Sequence, residues 1–261
     1  MNPFKPVERR SVEIPLNQPR RLQGDWFFQK KSAAETLPHL LFTPLHYEPG
    51  YAYPLLVWLH GPGTDERQLI RIMPQISCRN YVAIGVRGIA RENGADRKAP
   101  GLHREKLRYD WPANADSIAE ATERVFRAIE LASRKRHVHP GRIFLAGSRS
   151  GGTMAFRIAL QQPSYFAGVI SLGGPLPRGE PFLRRFSDLK HLEVLVAVAR
   201  QSPSYPSSLV CENLRLLHRA GLSGIMLREY PAGWHLSLPM LRDVDRWLME
   251  RITQGVSSPH K

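Results

Sequence analysis

Acidic side chains are scarce in this chain: 23 Asp and Glu stand against 37 Lys and Arg, and only eight of the basic residues are lysine. The formal charge of +14 at pH 7 would attract nucleic acid, an anionic membrane or an acidic polymer. The arginines are spread over the whole length, however. The densest clusters, Arg134-Lys135-Arg136 and Arg184-Arg185, are short and carry no interleaved aromatics. That distribution argues against specific nucleic-acid binding, although a basic scaffold that meets a partner through charge stays open. Cysteine is almost missing. Cys78 and Cys211 are too few and too far apart for a disulfide framework or a metal knuckle, which predicts two core or semi-buried thiols in a reducing, cytoplasmic setting. No apolar run approaches the ~20 residues of a membrane-crossing helix. The first ten residues lack the apolar stretch of a secretory signal. Internal repeats and low-complexity tracts are missing too, which excludes a repeat array. No cofactor motif or metal-ligand cluster stands out, and no cofactor or metal is expected.

What is present suits one globular unit. The 261 residues, 42% hydrophobic and 23% charged, are enough for a substantial core. Residues 1–22 are polar and read as irregular, residues 23–252 as a single domain, and residues 253–261 as a frayed tail. Trp26-Phe27-Phe28 and Leu40-Leu41-Phe42 predict an opening antiparallel pair. The continuous apolar runs Pro54 to His60, Tyr81 to Val86, Ile143 to Ala146, Gly168 to Leu172 and Val194 to Ala199 predict strands buried on both faces; Ile225 to Tyr230 predicts a last strand. Helices fit Glu66–Ile76, Asp116–Arg134, Gly152–Gln161, Ser207–Ala220 and Leu238–Arg251. Strands alternating with helices imply a mostly parallel central sheet, covered on both faces, with first strands antiparallel. The working site of such a sheet lies at the carboxyl ends of its strands. Residues 87–113 lack periodicity and read as a long loop near the pocket mouth, with Arg87, Arg91, Arg97, Lys98, Arg104, Lys106 and Arg108 adding positive charge there.

One stretch is the most informative. Arg142-Ile143-Phe144-Leu145-Ala146 leads into Gly147-Ser148-Arg149-Ser150-Gly151-Gly152 and then a helix. This is the frame G-x-S-x-G, which presents a strained, exposed nucleophile between strand and helix. Aligned without a gap, the nucleophile slot holds Arg149. A guanidinium stays protonated and offers no lone pair to an acyl carbon.

The order of these segments resembles the α/β-hydrolase fold. Its phospholipase/carboxylesterase branch, with the polyhydroxyalkanoate-depolymerase-like esterases, is most similar. The matching text is Pro54-Leu55-Leu56-Val57-Trp58-Leu59-His60-Gly61, Tyr109-Asp110-Trp111, the segment 142–155 around the elbow, Phe166 to Gly174, and Tyr230-Pro231-Ala232-Gly233-Trp234-His235. The resemblance spans roughly residues 25–250. It implies a nucleophile, a base, an acid that orients the base and two backbone donors for an oxyanion. His235 falls at the base position. The acid position falls on Ser202, within Arg200-Gln201-Ser202-Pro203. The oxyanion turn is Gly61-Pro62-Gly63, where Pro62 has no N–H to donate and Gly63 stands as a substitute donor. His60 reads as a turn residue, and Asp110 and Trp111 as loop anchors.

Three substituted positions predict a hydrolase-fold chain that has lost catalysis. It would act as a binding or regulatory module, for an anionic small molecule held by Arg149, Ser148 and Ser150, or for a protein partner. The alternative is a shifted register, with Ser150 as nucleophile beside His235 in a working esterase, thioesterase or peptidase. Otherwise Ser150 reads as a helix-capping side chain.

Overall fold

The structure is a computed structural model that describes residues 28–29, 38–90, 108–178, 189–231 and 235–254. The segments 1–22 and 91–107, and with them Arg91, Arg97, Lys98, Arg104 and Lys106, lie outside the described residues, as do Trp26, Phe27 and Arg184-Arg185. Among the described residues ten strands and five α-helices occur; the five helices and the eight strands of the main sheet follow one another in the predicted order. Strands β1 (Phe28–Gln29), β2 (His39–Phe42), β3 (Tyr53–Leu59), β4 (Val82–Val86), β7 (Val138–Ser148), β8 (Gly168–Leu172), β9 (Glu193–Ala199) and β10 (Ile225–Tyr230) form one sheet in the order β1-β2-β4-β3-β7-β8-β9-β10. β1 pairs antiparallel with β2 (Phe28 opposite Phe42), and β2 antiparallel with β4. Every later pairing is parallel.

The apolar strand runs arise because both faces are covered. Side chains alternate across a strand. In β3, Leu55, Val57 and Leu59 join one core with α2 (Ala115–Lys135), α3 (Ser150–Gln161) and α4 (Ser207–Arg219). Leu56 and Trp58 join the other, with α1 (Gln68–Ile76) and α5 (Leu238–Gln254). Helix α2 is the most regular. Asn114 caps it, its side chain accepting from Ser117 N–H at 2.8 Å, and Ile118, Ala121, Val125, Ala128 and Ala132 form its buried stripe. Glu120–Arg124, Glu123–Arg127 and Glu130–Arg134 pair one turn apart on its outer side, which ties up part of the arginine excess in ordinary surface pairs.

Several boundaries differ from expectation. β7 starts five residues earlier than its apolar run, because Val138 pairs with Tyr53 across an irregular register and carries the His139-Pro140-Gly141 turn signals into the strand. α5 runs through Thr253 to Gln254, into the stretch read as tail. Helix α1 begins at Gln68, so Glu66 stands outside it. The loop 87–113 contains a short antiparallel ladder, β5 (Ile89–Ala90) with β6 (Tyr109–Asp110).

That ladder is fixed by an ion pair. Arg87 Nε donates to Glu66 Oε2 at 2.6 Å and Arg87 Nη2 to Glu66 Oε1, while the guanidinium lies 4.9 Å from the centre of the Tyr109 ring. Arg124 Nη1 donates to the Arg87 and Gly88 carbonyls at 2.9 and 2.7 Å. Arg87 is therefore a structural tie and does not line the cavity described below. Burial pushes the Glu66 carboxyl up, but the Arg87 hydrogen bonds, a backbone N–H and the charges of Arg87 and Arg67 together outweigh it and hold the group below the ordinary glutamate value. Its stabilising contribution is then complete above the ordinary value near pH 4.5 and is lost as pH falls through the folded value. Glu66→Gln should lower unfolding free energy at pH 7 by about 1.5–3 kcal/mol. Urea melts should show that difference shrinking as the pH is lowered below ~4; a difference that persists unchanged in acid would contradict the ion-pair account.

Candidate active-site pocket

The carboxyl ends of the parallel strands meet at one edge. A cavity of about 180 Å³ opens there, lined from five of them: Gly61, Pro62 and Thr64 after β3, Ser148 at the end of β7 and Arg149 after it, Leu172 and Gly173 at the end of β8, Ala199, Ser202 and Ser204 at and after the end of β9, and His235, Leu236 and Met240 after β10. Gln68 of α1 completes it. The structure thus brings Arg149, Ser202, His235, Ser148, Gly61 and Pro62 to one place, from segments far apart in sequence. Among the described residues lining it, Arg149 is the fixed cation and no carboxylate occurs.

The turn between strand and helix falls at Arg149. β7 ends at Ser148, α3 starts at Ser150, and Arg149 between them has φ 51° and ψ −117°. This is backbone that side-chain-bearing residues rarely adopt. Packing leaves it little choice. A Cβ on Gly147 would fall 2.4 Å from the Gly151 carbonyl, and one on Gly151 would fall 2.3 Å from the Leu59 carbonyl oxygen. Only glycines let strand and helix close this tightly. Arg149 N–H donates to the Leu172 carbonyl at 2.9 Å, and the Arg149 carbonyl accepts from Thr153 N–H at 3.0 Å. Arg149 is half-buried at the cavity and Ser148 is buried.

Ser150 is held elsewhere. Its Oγ donates to the Asp110 carboxylate at 2.6 Å, and Asp110 is buried and also accepts from Trp111 N–H at 2.9 Å. Ser150 is thus the first residue of α3 and does not cap it; the cap position belongs to Arg149, which makes no side-chain cap bond. The bond to Asp110 spans 40 residues, and no local sequence pattern signals it.

The oxyanion turn is closed in a similar way. Gly63 N–H donates to the Tyr109 carbonyl at 2.9 Å, so the expected substitute donor is already committed. Gly61 N–H donates to Gln68 Oε1 at 3.2 Å. His60 is fully buried, with Nδ1 2.8 Å from the Gly61 carbonyl and Nε2 accepting from Gly88 N–H at 2.9 Å. Trp111 Nε1–H donates to its carbonyl at 2.8 Å. Burial lowers the His60 pKa, which keeps a neutral ring with fixed partners, the turn residue expected from the sequence. At the acid position, Ser202 is buried and its Oγ lies 3.3 Å from Ser204 Oγ. His235 is exposed at the rim, just ahead of α5.

No group of His, Cys, Asp and Glu among the described residues is arranged to hold a metal ion. No helix among them is long and apolar enough to cross a membrane.

The strain at Arg149 yields a direct test. Glycine relieves the positive φ but costs unfolded-chain entropy, so Arg149→Gly should raise unfolding free energy by about 0.5–2 kcal/mol. Arg149→Ala keeps a Cβ at the same φ and should stay within ~0.5 kcal/mol of wild type. Denaturant melts in which the glycine variant is the less stable of the two would contradict the strained-elbow register.

No protein-family model matches the chain. NocK, a candidate esterase from Nocardia uniformis subsp. tsuyamanensis, is 29% identical over 179 residues, 67% of this chain and 46% of NocK; the chain spans about half the length of that curated relative. Among solved structures, the carboxylesterase of Bacillus cereus superposes with a TM-score of 0.65 at 16% identity, over 84% of this chain and 96% of its own. The carboxylesterase of Mesorhizobium loti gives 0.64 at 20% identity, over 85% and 99%. Zea mays acyl-protein thioesterase 2 gives 0.56 at 14% identity, over 82% and 98%. At these identities the likeness is one of architecture: the chain has the α/β-hydrolase fold of esterases and thioesterases.

Proposed function

We propose that this chain has left acyl-transfer chemistry and uses the former acyl pocket to bind a small anion. The observation that carries this reading is Arg149 at the apex of the elbow, φ 51°, facing the cavity where a nucleophile would stand. Each substitution removes a separate part of the reaction. Without a nucleophile no covalent intermediate forms, a loss of about 10⁶ in comparable enzymes. A serine at the acid position cannot stabilise an imidazolium on His235 as a carboxylate does, a loss of about 10⁴. One missing oxyanion donor costs roughly 10²–10³. Pro62 cannot donate, and the neighbouring Gly61 and Gly63 N–H groups already have acceptors.

The same atoms suit an anion. Arg149 precedes the N-terminus of the 12-residue helix α3, whose unpaired N–H groups and dipole add to the guanidinium. A guanidinium fork matches carboxylate and phosphate oxygens geometrically. The shifted-register alternative is disfavoured by the 2.6 Å bond that holds Ser150 Oγ on buried Asp110. A basic scaffold indifferent to the pocket is disfavoured by the pairing of Arg124, Arg127, Arg134 and Arg246 with nearby carboxylates.

The test is a thermal-shift screen of small carboxylates and phosphates. A binder at a hundredfold excess over its Kd stabilises by about 2.7 kcal/mol, a rise in Tm of roughly 5–10 °C for a chain of this size. The rise should vanish in Arg149→Gln. Ester hydrolysis by the wild type that Ser150→Ala abolishes would overturn the reading in favour of a working enzyme.

A further inference from the structure

The turn after β3, which lines the pocket, is fastened to the β5–β6 ladder around His60. The ring is fully buried, and its two partners define its tautomer. Nδ1 lies 2.8 Å from the Gly61 carbonyl, which only accepts, so Nδ1 carries the proton. Nε2 lies 2.9 Å from Gly88 N–H, which only donates, so Nε2 is bare. A second proton can enter the ring only at Nε2, where it sets N–H against N–H. Gly88 has little room to yield: a Cβ there would fall 3.1 Å from Nε2 and 2.5 Å from the Asp110 carbonyl oxygen. Three further ties join the same two segments. Gly63 N–H donates to the Tyr109 carbonyl, Thr64 pairs with Tyr109 in an antiparallel bridge, and Trp111 Nε1–H donates to the His60 carbonyl. The carboxylates that act on the ring are Asp65 and Glu66 after β3 and Asp110 on β6. Arg87 follows β4 and is paired with Glu66, and Arg124 of α2 donates to the Gly88 carbonyl. Helix α3 packs Gly151 against the His60 carbonyl, with Arg149 at its entrance.

We propose that His60 is an acid-operated latch: a proton at Nε2 expels Gly88 and lifts the β5–β6 ladder from the turn after β3, which takes the Tyr109 carbonyl away from Gly63 N–H at the pocket rim. An imidazole is the side chain whose charge changes nearest physiological pH. In the closed form burial holds the ring below its ordinary value of 6.5, against the pull of the three carboxylates. In the opened form the ring meets water and regains that value. Above pH 6.5 it is neutral in both forms, and the latch is fully closed. Below 6.5 the opened form takes up a proton that the closed form refuses, so the latch loosens as the pH falls towards the closed-form value. The Arg87–Glu66 tie on the same ladder stays charged through this range, because the Glu66 carboxyl lies below 4.5. His60 therefore responds first. The latch does not depend on what the pocket binds.

Amide hydrogen exchange of the full chain, read residue by residue by NMR and corrected for the intrinsic rate, tests this. Between about pH 7 and 5.5 the opening constants of Gly88 and Gly63 should rise together by roughly three- to tenfold. Both should exceed, at every pH, the opening constant of Gly173 N–H, which donates to the Ala197 carbonyl inside the main sheet at 2.7 Å; that excess marks a local opening. His60→Gln keeps an acceptor for Gly88 N–H but cannot take the proton, and it should flatten the pH dependence at Gly88 and Gly63. His39, buried on β2 opposite Val86, is the control: His39→Gln should leave the dependence in place. The latch is overturned by any of three results. These are a dependence that persists in His60→Gln or disappears in His39→Gln, opening constants at Gly88 and Gly63 that change by less than about twofold, or exchange at Gly88 no faster than at Gly173. Should His60→Gln fail to fold, wild type and His39→Gln decide the matter by the remaining criteria.

Discussion

The pocket depends on one residue held at positive φ. Arg149 can be the hinge between β7 and α3 only because glycines on either side let the helix come within contact of the strand ends. Gly147 abuts the Gly151 carbonyl, and Gly151 abuts the carbonyls of Leu59 and His60. The main chain of Arg149 is clamped from both sides, by the Leu172 carbonyl and by Thr153 N–H. Such a conformation costs on the order of 1–3 kcal/mol for a residue with a side chain. In a hydrolase that strain aims a nucleophile at the substrate. Here the surrounding structure maintains it for an arginine.

The polar groups around the pocket are tied to fixed partners. The buried Asp110 holds Ser150, and His60 holds the loop after β4 through Gly88. Gly63 N–H is engaged by Tyr109. The cavity has Leu172, Leu236 and Met240 in its wall and Arg149 in its lining.

The fold was legible because its signals are local and repeated. Apolar runs such as Pro54 to His60 mark doubly covered strands, and α2 shows a five-residue buried stripe at helical spacing. The break between strand and helix at Arg149 was legible as well, since Gly147 and Gly151 allow the close approach there. The polar ties were not, because each joins residues distant in sequence: Glu66 with Arg87 over 21 positions, Ser150 with Asp110 over 40, Ser148 with Gln68 over 80. A glutamine at the start of an amphipathic helix looks like any solvated residue until the indole of Trp58 is seen against it. The early start of β7 was hidden for the opposite reason. His139-Pro140-Gly141 is a strong local turn signal, and pairing of Val138 with Tyr53 overrides it.

The central claim is that no serine of this elbow is an activated nucleophile. Treatment of the folded protein with a fluorophosphonate probe, followed by peptide mass spectrometry, tests it most directly. The account predicts no adduct on Ser148, Ser150 or Ser202. Stoichiometric labelling of Ser150 that disappears in His235→Ala would contradict it and make the chain a working serine hydrolase.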